Sequence, residues 1–173
     1  MSKWTMVSSL VVFLAVLLFV PSVRAADPNS GMTVWALGGS GVQENGTPTE
    51  ELRIGYQGLL PDIELAAGVR HMEAPDEGVQ KWGVRAYALA HALDTQMIAS
   101  MIGNKLTLPD GDIYGGLFAG WTYDRSDEWS GGYVVGGLVD WPKGWQTCLE
   151  YDADVFNTND NNYTILVGLR RKF

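Results

Sequence analysis

Two histidines, His71 and His91, are the side chains of this 173-residue sequence best suited to general acid–base work near neutral pH. A hydrolase built on either would also need an activated serine and a supporting acid. Ser100, Ser126 and Ser130 are the nearest serines, and none stands in a nucleophile signature with a histidine. Glu150, Asp152 and Asp154 recur at spacing two, so on an extended chain they share one face. Three such carboxylates could hold a cation, or they could neutralise arginines on neighbouring strands; the second use is expected, because charges taken out of water need partners. Asp110-Gly111-Asp112 and the stretch Asn157–Asn162 have the composition of calcium loops but lack the full spacing and the closing Glu, so they read as turns. Asn45-Gly46-Thr47 and Asn162-Tyr163-Thr164 fit a short glycosylation pattern that arises often by chance. Cys148 is the single cysteine, which excludes an intramolecular disulfide. No catalytic residue, metal site or cofactor is expected from these groupings.

The elements that would position these residues are strands. Helical periodicity is almost absent, whereas period-two alternation recurs along the chain. Residues 163–173 place Tyr163, Ile165, Val167, Leu169 and Phe173 on one face, with Arg171 alone breaking its apolar character, against Thr164, Gly168, Arg170 and Lys172. Residues 145–155 set Trp145, Thr147, Leu149, Tyr151, Ala153 and Val155 against Gln146, Cys148, Glu150, Asp152 and Asp154. The stretch 129–141 sets Tyr133, Val135, Val139 and Trp141 against Asp140 and a row of glycines, while 113–123 groups Ile113, Leu117, Ala119, Trp121 and Tyr123. Residues 80–91 set Trp82, Val84, Ala86, Ala88 and Ala90 against Lys81, Arg85, Tyr87 and His91; residues 63–71 set Ile63, Leu65, Ala67 and Val69 against Glu64 and Arg70. Two further strands are read at 32–40 and 51–58. Residues 92–111 resist the scheme: as a long turn or small plug they give eight strands in all, and as two short strands, Thr95–Ile102 and Lys105–Leu108, they give ten. A four-residue strand is far short of the ~9–11 residues that cross a bilayer, which favours eight.

Residues 1–25 read as an export signal, with Lys3 ahead of an apolar run from Val7 to Val20 and Val23-Arg24-Ala25 at the cleavage position. Residues 26–173 then form one domain. The formal charge of the chain is −8, and loss of Lys3 and Arg24 makes it more negative, which argues against nucleic acid as a partner. Tight turns are read at Leu60-Pro61-Asp62 and Trp141-Pro142-Lys143-Gly144. Longer polar stretches at 41–49, 72–78, 124–131 and 156–162 alternate with them, which gives the chain a direction: turns toward a periplasm, loops toward the medium.

Alternation alone does not tell inside from outside. Three features point to a membrane. Trp121, Tyr123, Tyr133, Trp141 and Trp145 lie near strand ends, where amphipathic rings suit a bilayer interface. The opposite face carries both signs of charge, Glu64, Asp140, Glu150, Asp152 and Asp154 with Arg70, Lys81, Arg85 and Arg170, among glycines (Gly68, Gly83, Gly116, Gly120, Gly132, Gly136, Gly168) that a narrow lumen requires. Finally, residues 163–173, with Gly168 and a terminal Phe173, resemble the carboxy-terminal strand of bacterial outer-membrane barrels; Arg171 departs from that pattern.

In size and layout the chain resembles the small outer-membrane barrels of the virulence-associated and opacity type. The resemblance implies an all-β, closed, antiparallel up-and-down transmembrane barrel of even strand number, eight or alternatively ten. It also implies outer-membrane lipids and the barrel-assembly machinery as partners, the latter reading Gly168 and Phe173. The expected role is structural or surface interaction, with the lumen plugged by paired charges and the surface ligand unspecified. A narrow pore, a lipid-modifying enzyme and a soluble ligand-binding barrel remain as alternatives.

Overall fold

A computed structural model describes residues 30–42, 47–60, 62–74, 79–103, 108–123, 128–156 and 162–173. The expected export segment, most of the loop residues, Ser126 and Pro61 lie outside the described residues. Eight strands follow one another: β1 (Gly31–Gly41), β2 (Pro48–Leu60), β3 (Ile63–Ala74), β4 (Val79–Asp94), β5 (Gly111–Tyr123), β6 (Glu128–Trp141), β7 (Trp145–Asp154) and β8 (Asn162–Lys172). Among the described residues one α-helix, α1 (Thr95–Met101), interrupts the series between β4 and β5.

Each strand pairs antiparallel with the next, and β8 returns to pair with β1 from Thr33↔Lys172 to Gly41↔Thr164, so the sheet closes into a barrel. Closure gives every strand two hydrogen-bonded neighbours and leaves no edge. The connections β2–β3, β4–β5 and β6–β7 lie at one end with the start of β1 and the end of β8; the other four connections lie at the opposite end.

Pairing runs further than the alternating apolar residues suggested. β2 begins at Pro48, β3 continues to Ala74 and β6 starts at Glu128, all within stretches read as loop. Polar composition marks which side chains meet water, whereas the ladder ends only where backbone pairing stops. The β6–β7 turn is a short 3-10 segment, Pro142–Gly144, with Lys143 at φ 67° and Gly144 at φ 75°.

The ring closes with eight strands, and among the described residues of 92–111 there is no further strand pair, which corrects the ten-strand alternative; most of the expected strand Lys105–Leu108 lies outside the described residues. β4 passes a bulge between His91 and Leu93 and continues to Asp94. There the Asp94 carboxylate caps α1, accepting the Met97 backbone N–H at 2.5 Å, and Gly103 at φ 76° follows the helix. Ile98, Met101 and Ile102 recur at helical spacing, not at the period of a strand.

Closure also depends on close approach at the seam. A Cβ added to Gly168 on β8 would lie 2.0 Å from the Ala36 carbonyl oxygen and 2.8 Å from Leu37 Cα on β1. Both are backbone atoms with no room to withdraw. Gly168→Val is therefore expected to lower the folded fraction after refolding into micelles, at a cost of about 1–3 kcal/mol. Gly38→Ala, where an added Cβ has nothing within 4 Å, is the matched control and should refold like the parent by far-UV circular dichroism.

Candidate functional site in the barrel lumen

Alternation along the strands sends two different sets of residues to the two sides of the closed sheet. Inside, Arg53 and Glu64 are 0% exposed, and Glu51, Arg70, Arg85, His91, Glu150, Asp152, Asp154 and Arg170 are buried with them. Outside, aliphatic residues such as Leu117 (65% exposed) and Leu149 (59% exposed) face away from the protein.

The inner charges form a ladder along the barrel axis. Toward the loop end, Arg85 donates to Asp152 Oδ2 at 3.0 Å and to Asp154 Oδ2 at 3.2 Å, while Asp154 Oδ1 accepts the Gly131 backbone N–H at 3.1 Å. Arg70 donates to Glu51 Oε2 at 2.7 Å and also pairs with Asp152. At mid-height Arg53 grips Glu150 with both terminal nitrogens, at 2.7 and 2.5 Å, and reaches Glu51 Oε1 with Nε at 2.5 Å. This fork-to-fork geometry is the strong form of an ion pair. The Arg53 guanidinium lies 4.0 Å from the Tyr87 ring centroid, and Arg85 lies 4.2 Å from that of Phe118. The Tyr87 hydroxyl donates to Glu51, and that of Tyr114 to Glu150 at 2.7 Å.

Nearer the tight turns, Glu64 is the centre. Its carboxylate accepts from Arg170 at 2.6 Å, from Trp35 Nε1 at 2.7 Å and from the Thr33 hydroxyl. The two ring nitrogens of His91 lie 3.2 Å from Glu64 and 3.0 Å from Asp112. Arg170 also donates to Gln57 at 3.1 Å and to Gln146.

Glycines on the inner face make room for this ladder. A Cβ on Gly55 would come within 2.4 Å of a Glu64 oxygen, and one on Gly136 within 2.4 Å of the Tyr114 ring. Between the polar groups the lumen is packed with Leu37, Leu89, Phe118, Val134, Leu138 and Leu166.

Of the charges assigned to this face from sequence, Glu64, Arg70, Arg85, Glu150, Asp152, Asp154 and Arg170 are brought together. Lys81 and Asp140 stand at the two mouths, the first half-buried and the second exposed, where Asp140 accepts from Gln146 at 2.5 Å. Glu51 and Arg53 were not singled out, although Glu51-Leu52-Arg53-Ile54 is itself an alternating charged and apolar run. Asp112, read as part of a turn, belongs to β5 and faces His91.

The histidines point to opposite sides of the wall. His71 faces outward with its ring 4.5 Å from that of Trp82, and His91 lies inside. Ser100 donates to the Met97 carbonyl oxygen on α1 and Ser130 lies on the inner face of β6; neither is among the partners of His91. Arginines engage both Glu150 oxygens, Asp152 Oδ2 and Asp154 Oδ2, with Tyr114 also on Glu150, while Asp152 Oδ1 is buried without a hydrogen-bond partner.

The outer aromatics fall in two rows. Trp121, Tyr123 and Tyr133 lie toward the loop end, joined by Trp82 and by Trp129, whose ring meets that of Trp121 at 4.9 Å. Trp141 and Trp145 flank the short turn at the other end, with Tyr56 also on the outside. Ile54, Leu65, Val69, Val84, Leu117, Val135, Leu149, Ile165 and Val167 supply the exposed aliphatic surface.

No family model matches the chain, and no curated protein resembles it in sequence. Among solved structures it is similar to neisserial surface protein A, at 13% identity and a TM-score of 0.59, covering 84% of this chain and 97% of that one. It is likewise similar to the N-terminal β-barrel domain of Pseudomonas aeruginosa OprF, at 14% identity and a TM-score of 0.57, covering 84% of this chain and 98% of the other. The shared feature is the fold. This chain is a closed eight-stranded antiparallel barrel.

Removing one partner from the inner ladder leaves its counterpart buried and uncompensated. Arg53→Met is expected to destabilise the barrel by about 3–5 kcal/mol, and adding Glu150→Leu to recover part of that loss. Urea unfolding of the refolded variants, followed by tryptophan fluorescence, measures both steps.

Proposed function

We propose that this chain is an outer-membrane barrel whose role is structural or surface-interacting, with its lumen plugged by paired charges. One observation supports this reading above the others: the partition of residues is inverted relative to a barrel made for water. Charges are buried within, and a continuous aliphatic surface between two aromatic rows faces out. In water that exterior would be an aggregation surface; in a bilayer it matches hydrocarbon flanked by interfacial rings. The strands are 10 to 16 residues long, which at a tilt of ~35–45° is enough for an apolar band ~25 Å tall.

In this reading residues 1–25 direct export and the tight turns face the periplasm. The polar stretches 41–49, 72–78, 124–131 and 156–162, read from the sequence as loops, would meet the medium and carry whatever surface interaction the protein has. The assembly machinery reads the last strand with Gly168 and Phe173, and outer-membrane lipids cover the wall. Turnover is not part of the role, since His91 is committed to Glu64 and Asp112, not to a serine.

The mature chain should fractionate with outer membranes and migrate differently in gels with and without heating. A chain that is soluble and monomeric without detergent overturns the reading. Orientation is tested with the native thiol of Cys148, which shares the inner face with Glu150. A water-soluble thiol reagent should label it slowly in the folded barrel and rapidly in urea, and fast labelling of the folded form excludes a buried lumen position. Planar bilayers containing the protein should show no discrete channels; stable unitary currents would replace the plugged lumen with a narrow pore.

A further inference from the structure

Arg171 is the one residue that breaks the apolar outer face of β8, and the lumen ladder does not use it. It lies on the outside near the tight-turn end, paired across the sheet with Val34 on β1 and Trp145 on β7. Its guanidinium carbon is 4.6 Å from the Phe173 ring centroid and 5.1 Å from the Trp145 ring. Its Nε is buried without a hydrogen-bond partner, and among the described residues no carboxylate forms an ion pair with it.

A second cation without an ion pair among the described residues lies in the adjoining turn. Lys143 is exposed in the Pro142–Gly144 turn, and that turn packs against the end of β8: a Cβ on Gly144 would sit 2.5 Å from the Lys172 carbonyl oxygen. The nearest acid along the chain, Asp140, faces the inner side and is engaged by Gln146. The outer rim of β7 and β8 therefore presents a guanidinium flanked by two aromatic rings, with an exposed lysine in the adjoining turn and, among the described residues, no side-chain carboxylate in an ion pair with either.

We propose that this rim binds the phosphate of an anionic glycerophospholipid in the leaflet at the tight-turn end, with Arg171 as the principal ligand and Lys143 as a second charge. The inference rests on the membrane reading above. The Trp141 and Trp145 row sets the height of that interface, and a long basic side chain anchored there extends toward headgroups. A planar guanidinium offers a phosphate two parallel donors, which an ammonium cannot. The two rings hold the guanidinium in place and restrict how it can approach the headgroup.

The test is native mass spectrometry of the refolded barrel offered equal amounts of phosphatidylglycerol and phosphatidylcholine. The parent protein should retain phosphatidylglycerol in preference, and Arg171→Gln should reduce that preference about fivefold. Arg171→Lys should keep part of it, and Lys143→Gln should weaken it less than Arg171→Gln. Arg171 has no ion pair to lose, so Arg171→Gln should still fold, as heat-dependent gel migration will show. Equal retention of the two lipids by the parent, or undiminished preference in Arg171→Gln, overturns the proposal while leaving membrane residence intact. Displacement of the lipid by an equal concentration of inorganic phosphate overturns the assignment to a lipid. A barrel that needs no detergent at all would instead refute the membrane reading beneath it.

Discussion

Arg53 on β2 and Glu150 on β7 meet across the inside of the sheet, two strands that are not neighbours anywhere along its wall. Their bidentate contact requires that the ring be closed, because an open sheet would leave both groups in water and the pair worth little. Closure in turn requires β8 to lie close against β1, which glycine at position 168 permits. The charge ladder and the backbone ladder are thus mutually dependent: one needs an enclosed space, and the other is locked by what fills it. Buried ion pairs are often neutral in net stability. Here their larger contribution is to register, since a one-residue slip of any strand would turn its charges outward.

Much of this was legible from alternation. Glu150, Asp152 and Asp154 at spacing two could share only one face, and the oppositely charged Arg70, Arg85 and Arg170 sat at the same phase of other strands. Which side that face occupies was not written in the period. Aromatic placement supplied the direction, because Trp141 and Trp145 bracket a turn whose composition is unambiguous.

What was hidden has physical reasons. Glu51 and Arg53 lie on β2, read as a strand from residue 51, and which of its two faces joins the charged side of the other strands emerges only from its pairing with β1 and β3. The apolar share of the lumen was equally concealed: Leu37, Leu89 and Leu166 occupy the phase of the charged residues, and leucine on a strand carries no mark of which side it faces. Helix α1 is only 7 residues long, too short for its periodicity to stand out, although Asp94 and Gly103 are a start and stop signal once the helix is seen. Asp112 looked like part of an Asp-Gly-Asp turn and became the partner of a histidine because β5 begins one residue before it.

Cys148 lies on the inner face, 2% exposed, with its sulfur 3.2 Å from the Tyr114 hydroxyl. If the chain is exported as proposed, its one thiol is vulnerable in an oxidising compartment to cross-linking with any other unfolded chain it meets. Once the barrel closes, that thiol is sealed behind a wall with no edge to open. Chemical fate is thereby tied to the order of events: molecules that close first keep a reduced sulfur for as long as they stay folded, while molecules that linger unfolded carry a covalent record of the delay.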